Sequence, residues 1–191
     1  MWSRNQNTTQ HYLIEGNIRI NDARVDNAIA SLSENTEHSK VIIRFYHNAG
    51  GAIETTLRLT EAIKRCHPHR QVILVFKGYV ASAAAFIMAT FAFRATPAPN
   101  VIVMNEGPVC VVFHKPRVVA GKHLYFSNSL YTCQLYNDTL EFLKLITPRF
   151  DELFCRMMNY CERKKIPLAP HMASVYAMNG DVTLILKSGK L

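Results

Sequence analysis

The sequence lacks most of the features that would assign it to a specialised class. Its five cysteines, Cys66, Cys110, Cys133, Cys155 and Cys161, form no CxxC pair and are odd in number. That usage excludes a recognisable zinc site and a disulfide framework, and it fits reduced thiols in a cytosol. There is no low-complexity tract. No apolar run approaches the roughly 20 residues needed to cross a hydrocarbon layer. The most apolar window, Val80 to Phe93, is shorter and reads as a buried helix, so no membrane partner is expected. The segment MWSRNQNTTQHYLIEG has no apolar stretch of signal-peptide type, which favours a cytoplasmic location. No nucleic-acid motif accompanies the formal net charge of +8. The basic residues are scattered, and the densest group, Arg163-Lys164-Lys165, follows a helical pattern and suits the negative end of a helix dipole. Nucleic acid is therefore not an expected partner, and neither a metal nor another cofactor is called for.

What is present describes an ordinary globular chain. Its 191 residues, 49% hydrophobic and 19% charged, fit one domain spanning 1–191. A chain of this length buries about 70% of the surface its unfolded form exposes. Strand-like and helix-like patterns alternate. YLIEGNIRI (Tyr12 to Ile20) reads as a strand, and Asn21-Asp22 offers capping side chains before a helix on Val25, Ala28, Ile29 and Leu32. KVIIRFY (Lys40 to Tyr46) is a second strand, HNAGG a turn, and Ile53 to Cys66 a helix. QVILVFK (Gln71 to Lys77), apolar almost throughout, has the character of a parallel strand covered on both faces, followed by a helix from Ser82 to Phe93. Strands are then expected at Val101 to Met104 and Val109 to His114. The alternation predicts an α/β domain of repeated β-α-β units, a mainly parallel sheet and right-handed crossovers. From about Asn128 to Arg163 a long amphipathic helix is predicted, with a kink at Pro148. It is longer than a small core can absorb, so a protruding arm and oligomerisation are expected.

Two glycines at Ala49-Gly50-Gly51 stand between a strand and a helix, where backbone N–H groups either close a tight turn or hold a developing oxyanion. Ser82 occupies the equivalent place one unit later: either the cap of a buried helix or a nucleophile at a helix N-terminus. The chain has no GxSxG elbow around it. A serine needs a base, and of the eight histidines His114 is the best placed, closing VCVVFH at a strand end. Its other reading is a core histidine with a backbone partner. His67 and His69, in CHPHR, read as loop residues.

In this order the segments HNAGGAIETTLRLTEAIKRC, YVASAAAFIMA, PNVIVM and FHKP resemble the ClpP-type serine peptidases over about Ile14 to Asp181. The resemblance implies a ClpP/crotonase-like fold, with the helix of about 128–163 as the handle by which rings of the family interlock. It implies Ser82 as nucleophile, His114 as general base and Asp181, in MNGDVTLIL, as the residue that orients the imidazole. It further implies an oxyanion hole from the N–H groups of Gly51 and Ala83, with Gly50 shaping the turn. Asn179-Gly180 before an alternating run is equally a hairpin signal, which would make Asp181 a turn residue. NEGPVC (Asn105 to Cys110) stands as an insertion relative to the family, and the N-terminal loops that dock an unfoldase have no counterpart. The function implied is hydrolysis of peptides or unfolded proteins inside a homo-oligomeric ring, by a divergent, phage-type member without an unfoldase partner. The alternatives are an inactive scaffold on the same fold and a crotonase-like enzyme acting on acyl-CoA thioesters.

Overall fold

The computed structural model describes residues 9–34, 39–94, 98–129 and 137–191. Three β-α units open the chain: β1 (Thr9–Ile18) and α1 (Ala23–Ser33), β2 (Lys40–Gly51) and α2 (Ile53–Arg65), β3 (Gln71–Ala81) and α3 (Ala83–Ala92). They are followed by β4 (Val101–Phe113), the short strands β5 (Arg117–Ala120) and β6 (His123–Phe126), α4 (Asn137–Arg163), α5 (Met172–Ala177), β7 (Val182–Leu186) and β8 (Gly189–Lys190). The main sheet has the order β1-β2-β3-β4-β7, with β8 also on β4, and β5 and β6 form a separate hairpin. Pairing is parallel from β1 to β4, and β7 and β8 run antiparallel to β4. The chain is thus α/β with a mixed, mostly parallel sheet.

Parallel strands added one after another in a single direction, each by a right-handed crossover, put their helices on the same side of the sheet. Burial follows that rule. Register aligns Ile14, Phe45 and Phe76 across β1, β2 and β3, and all three are fully buried, the two phenyl rings stacked at 5.0 Å. One residue earlier the row is Leu13, Arg44, Val75 and Met104, in which Leu13 is exposed and Val75 buried; on β3 itself Ile73 and Lys77 are half-buried and Tyr79 is exposed. β3 is therefore not covered by helices on both faces, although its sequence suggested it. α3 is buried along its whole length from Ala83 to Phe91, so the chain's most apolar window is a core helix.

The strands extend further than their patterns implied. HNAGG, expected as a turn, continues β2 through an irregularity at His47, whose φ is 44°. The two expected strands around Asn105–Cys110 are one strand, β4. Phe76 pairs with Asn105 and Gly78 with Val109, so Lys77 alone opposes Glu106, Gly107 and Pro108. The inserted residues form a bulge, and regular pairing resumes from Gly78–Val109 to Ala81–Val112. The bulge leaves the end of β4 in step with the end of β3.

Of the helix predicted over 128–163, Asn128 lies in a turn and Ser129 in no regular element, 130–136 lie outside the described residues, and α4 runs unbroken through Pro148. Its apolar stripe, from Leu140 and Leu143 through Phe150 and Met157 to Cys161, is buried within its own chain. Phe150 packs on Phe86 of α3 and on Phe113 of β4. The expectation that this helix exceeds what the core can absorb is thus not met over residues 137–163, because side chains at i, i+3 and i+7 keep one stripe against α3 and the sheet. Asn179-Gly180, which also reads as a hairpin signal, instead ends α5. Asn179 has φ 63°, its N–H donates to the Tyr176 carbonyl at 3.0 Å, and the Gly180 N–H donates to the Val175 carbonyl at 2.8 Å, a Schellman cap.

Candidate active site

Ser82 joins the end of β3 to the start of α3 with φ 53° and ψ −120°, a region that residues with a Cβ adopt at a cost of about 1–3 kcal/mol. Both sides of the turn are anchored. The Ser82 N–H donates to the Val112 carbonyl at 3.0 Å, and its carbonyl accepts from the Phe86 N–H at 2.9 Å. The hydroxyl makes no capping hydrogen bond to the helix it precedes. The serine is thus strained into position without the bond that a structural cap would make.

Gly50 is the surface against which this turn rests. Its φ is 85°, and a Cβ there would stand 2.5 Å from the Ala81 carbonyl oxygen, 2.6 Å from the Ser82 Cβ and 2.7 Å from the Ala83 nitrogen. Only glycine allows that approach. Buried Asn48 holds the glycine turn in place: its Oδ1 accepts from the Gly50 N–H at 2.9 Å while its Nδ2 donates to the Ile14 carbonyl at 3.0 Å. Asn48 was not among the predicted site residues. Its signal is an Asx side chain two residues ahead of a positive-φ glycine.

At Gly51, φ 132°, a Cβ would lie 2.1 Å from the Ile18 carbonyl oxygen. That carbonyl accepts instead from the Ala52 N–H at 2.9 Å, so it does not consume the amide of Gly51. Ala83 is the first residue of α3, where a helix leaves its amides without internal acceptors. Gly51 and Ala83 line one cavity of about 500 Å³, together with Ser82 and His114. Across it stand Val118 of β5 and Phe142 and Phe150 of α4.

His114 follows directly on β4 and is only 6% exposed. Its Nδ1 lies 2.6 Å from the Lys115 carbonyl oxygen. A carbonyl can only accept, so Nδ1 carries the proton and Nε2 is left as the basic nitrogen. Burial pushes the imidazole's pKa below its ordinary 6.5; the Lys115 carbonyl opposes that shift, nearby Arg117 adds to it, and Asp181 opposes it weakly. The backbone-bonded core histidine and the strand-end base are here the same residue.

The third predicted member stands apart. Asp181 is held by Arg117, whose Nη1 and Nη2 donate to its two carboxylate oxygens at 2.6 and 3.3 Å. Arg117 lines the cavity, Asp181 does not, and Nδ1 of His114 already serves the Lys115 carbonyl. Arg117 escaped the sequence reading because nothing in HKPR marks it as a partner for a residue over sixty positions away. The structure thus brings together Ser82, His114, Gly50, Gly51 and Ala83 and ties Asp181 to a cavity residue.

The chain matches no protein-family model and no curated protein. What it does has to be read from the cavity. None of the described cysteines lines the cavity, and burial pushes Cys161 up to about 11 and raises Cys66. Among the described residues no three His, Cys, Asp or Glu side chains are grouped as metal ligands. No described helix is long and apolar enough to cross a membrane.

Proposed function

We propose that this chain is a serine hydrolase of ClpP-like type that cleaves peptide bonds through an acyl-enzyme. The observation that carries the reading is the shared cavity: a serine strained into an elbow, a neutral-leaning histidine with Nε2 open, and two amides at Gly51 and Ala83. In the forward step Nε2 of His114 takes the Ser82 proton as Oγ bonds to the scissile carbonyl carbon. The oxyanion is met by the N–H groups of Gly51 and Ala83. His114 then returns the proton to the leaving amine as the C–N bond breaks, leaving an ester on Ser82. Water, deprotonated by His114, hydrolyses that ester and restores the serine. Asp181 would serve as the orienting carboxylate, on release from Arg117. A homo-oligomeric ring would limit access to peptides and unfolded chains.

A fluorophosphonate probe tests the nucleophile on the native protein. Labelling at Ser82 that disappears in Ser82→Ala and falls at least about a hundredfold in His114→Ala supports the reading. No adduct on Ser82, with a labelled control hydrolase in the same experiment, overturns it.

A second reading, an inactive scaffold on this fold, is favoured by one observation: Ser82 and His114 are not hydrogen-bonded to each other, and Asp181 is occupied by Arg117. The same experiment separates the two, because a scaffold has no activated hydroxyl to label.

A further inference from the structure

Away from the serine cavity, a second cavity of about 430 Å³ is lined by Phe93, Arg94, Arg156, Asn159, Glu162 and Arg163. Arg156, Asn159 and Arg163 are spaced i, i+3, i+7 on α4 and so share one stripe, while Phe93 and Arg94 come from the chain just beyond α3. Three arginines, two from α4 and one from the chain after α3, therefore line one space whose lining includes a single acidic residue, Glu162. We infer that this cavity is a binding site for a phosphate-type oxyanion, an assignment independent of the peptidase reading.

Arg94 and Arg156 each have a local partner that does not exhaust their donors. Arg94 Nε donates to the Thr90 carbonyl at 3.0 Å, which closes the end of α3 and, among the described residues, leaves both terminal nitrogens without a hydrogen-bond acceptor. Arg156 pairs through Nη2 with Glu152, which lies outside the cavity lining. No ion pair engages Arg163 among the described residues. The chain continuing from Arg94, Ala95-Thr96-Pro97, contains no acid that could neutralise the group. Gathering like charges is unfavourable, and its mark is visible at Arg94, whose proton affinity is lowered by burial and next by Arg156.

The ligand class follows from the donors. One guanidinium satisfies one carboxylate, as Arg117 does for Asp181. Three forks around one space match a multiply charged tetrahedral oxyanion, whose oxygens accept from several guanidinium groups at once. The phosphate could be free or carried by a nucleotide, and the two sources share this chemistry.

Calorimetric titration of the full chain at fixed ionic strength tests the site with pyrophosphate, inorganic phosphate, ADP, adenosine and citrate. Saturable one-site binding of pyrophosphate is expected, weakened at least about tenfold by Arg156→Gln or Arg163→Gln. Lys122→Gln, which removes the same charge from the turn between β5 and β6, should leave it unchanged. ADP binding tighter than pyrophosphate, with adenosine silent, assigns the phosphate to a nucleotide, and equal binding assigns it to the free anion. Non-saturable uptake, equal loss in Lys122→Gln, or citrate binding as tightly as pyrophosphate would each overturn the proposal. Arg163 is exposed at the end of α4, so Arg163→Gln keeps the test meaningful where loss of the Arg156–Glu152 pair disturbs the helix.

Discussion

Gly50 and His114 have consequences that can be measured one residue at a time. A methyl group at Gly50 would collide with the Ala81 carbonyl, the Ser82 Cβ and the Ala83 nitrogen, all at 2.7 Å or less, in a backbone already at φ 85°. None of those atoms is the end of a flexible side chain, so the elbow itself has to move. Gly50→Ala is expected to cost at least about 2 kcal/mol in denaturant unfolding and to abolish labelling of Ser82. A variant of unchanged stability and labelling would mean that the glycine contact does not position the serine. His114 sets the pH dependence. Its folded pKa lies below 6.5, chiefly through burial, so the unfolded chain binds the proton more readily and acid favours unfolding. The stability linked to this residue is complete above 6.5 and is lost as the pH falls from there through the folded pKa. The basic Nε2 disappears over the lower part of the same interval. The rate of Ser82 labelling against pH should therefore have its midpoint below 6.5, and thermal melts of His114→Gln should lose the matching acid step. A midpoint at or above 6.5 would show that the imidazole is more open to water than its burial implies.

The elements show where a one-dimensional pattern is informative. β1, β2, β3 and the three helices after them were legible because alternation and helical spacing report burial, and burial is what the register enforces. The places of the serine and the histidine were legible for a related reason, since Ser82 follows directly on β3 and His114 on β4, whereas the glycines expected in a turn belong to the end of β2. What escaped was longer in range. The bulge of β4 depends on Lys77 facing three residues of another strand, and its Glu106 reaches the Tyr46 hydroxyl and, at 3.7 Å, the Lys77 ammonium. Neither contact leaves a local signature. Asn179-Gly180 is ambiguous by nature, since a left-handed residue followed by glycine serves a hairpin or a helix end equally well, and only the preceding α5 decides. Asp181 illustrates the limit for the site. Its place before a short strand is visible in sequence, whereas its pairing with Arg117 depends on how β5 meets the end of α5.

For the molecule as a whole, the question is which surface an assembly would cover. α4 has buried its apolar stripe inside the chain, and Leu145, 76% exposed, is the large apolar side chain it leaves outward. The sheet offers more. Parallel sheets are ordinarily covered on both faces, yet here the face opposite the helices carries exposed Leu13, Tyr79 and Ile185. Tyr79 pairs with Cys110 on β4 and Cys110 with Ile185 on β7, so these three form one row across the sheet. If the proposed oligomer forms, burying that row is worth more than burying one leucine, because the gain scales with the apolar area removed from water. Sedimentation of the wild type, Ile185→Lys and Leu145→Lys decides between the two surfaces. The expected outcome is a wild-type mass of several times 21.7 kDa, retained in Leu145→Lys and reduced towards 21.7 kDa in Ile185→Lys. The reverse pattern would put the contact on the long helix, as an interlocking handle requires. A wild-type protein that sediments at 21.7 kDa would remove the ring from the proposed function while leaving the chemistry at Ser82 to be judged by labelling alone.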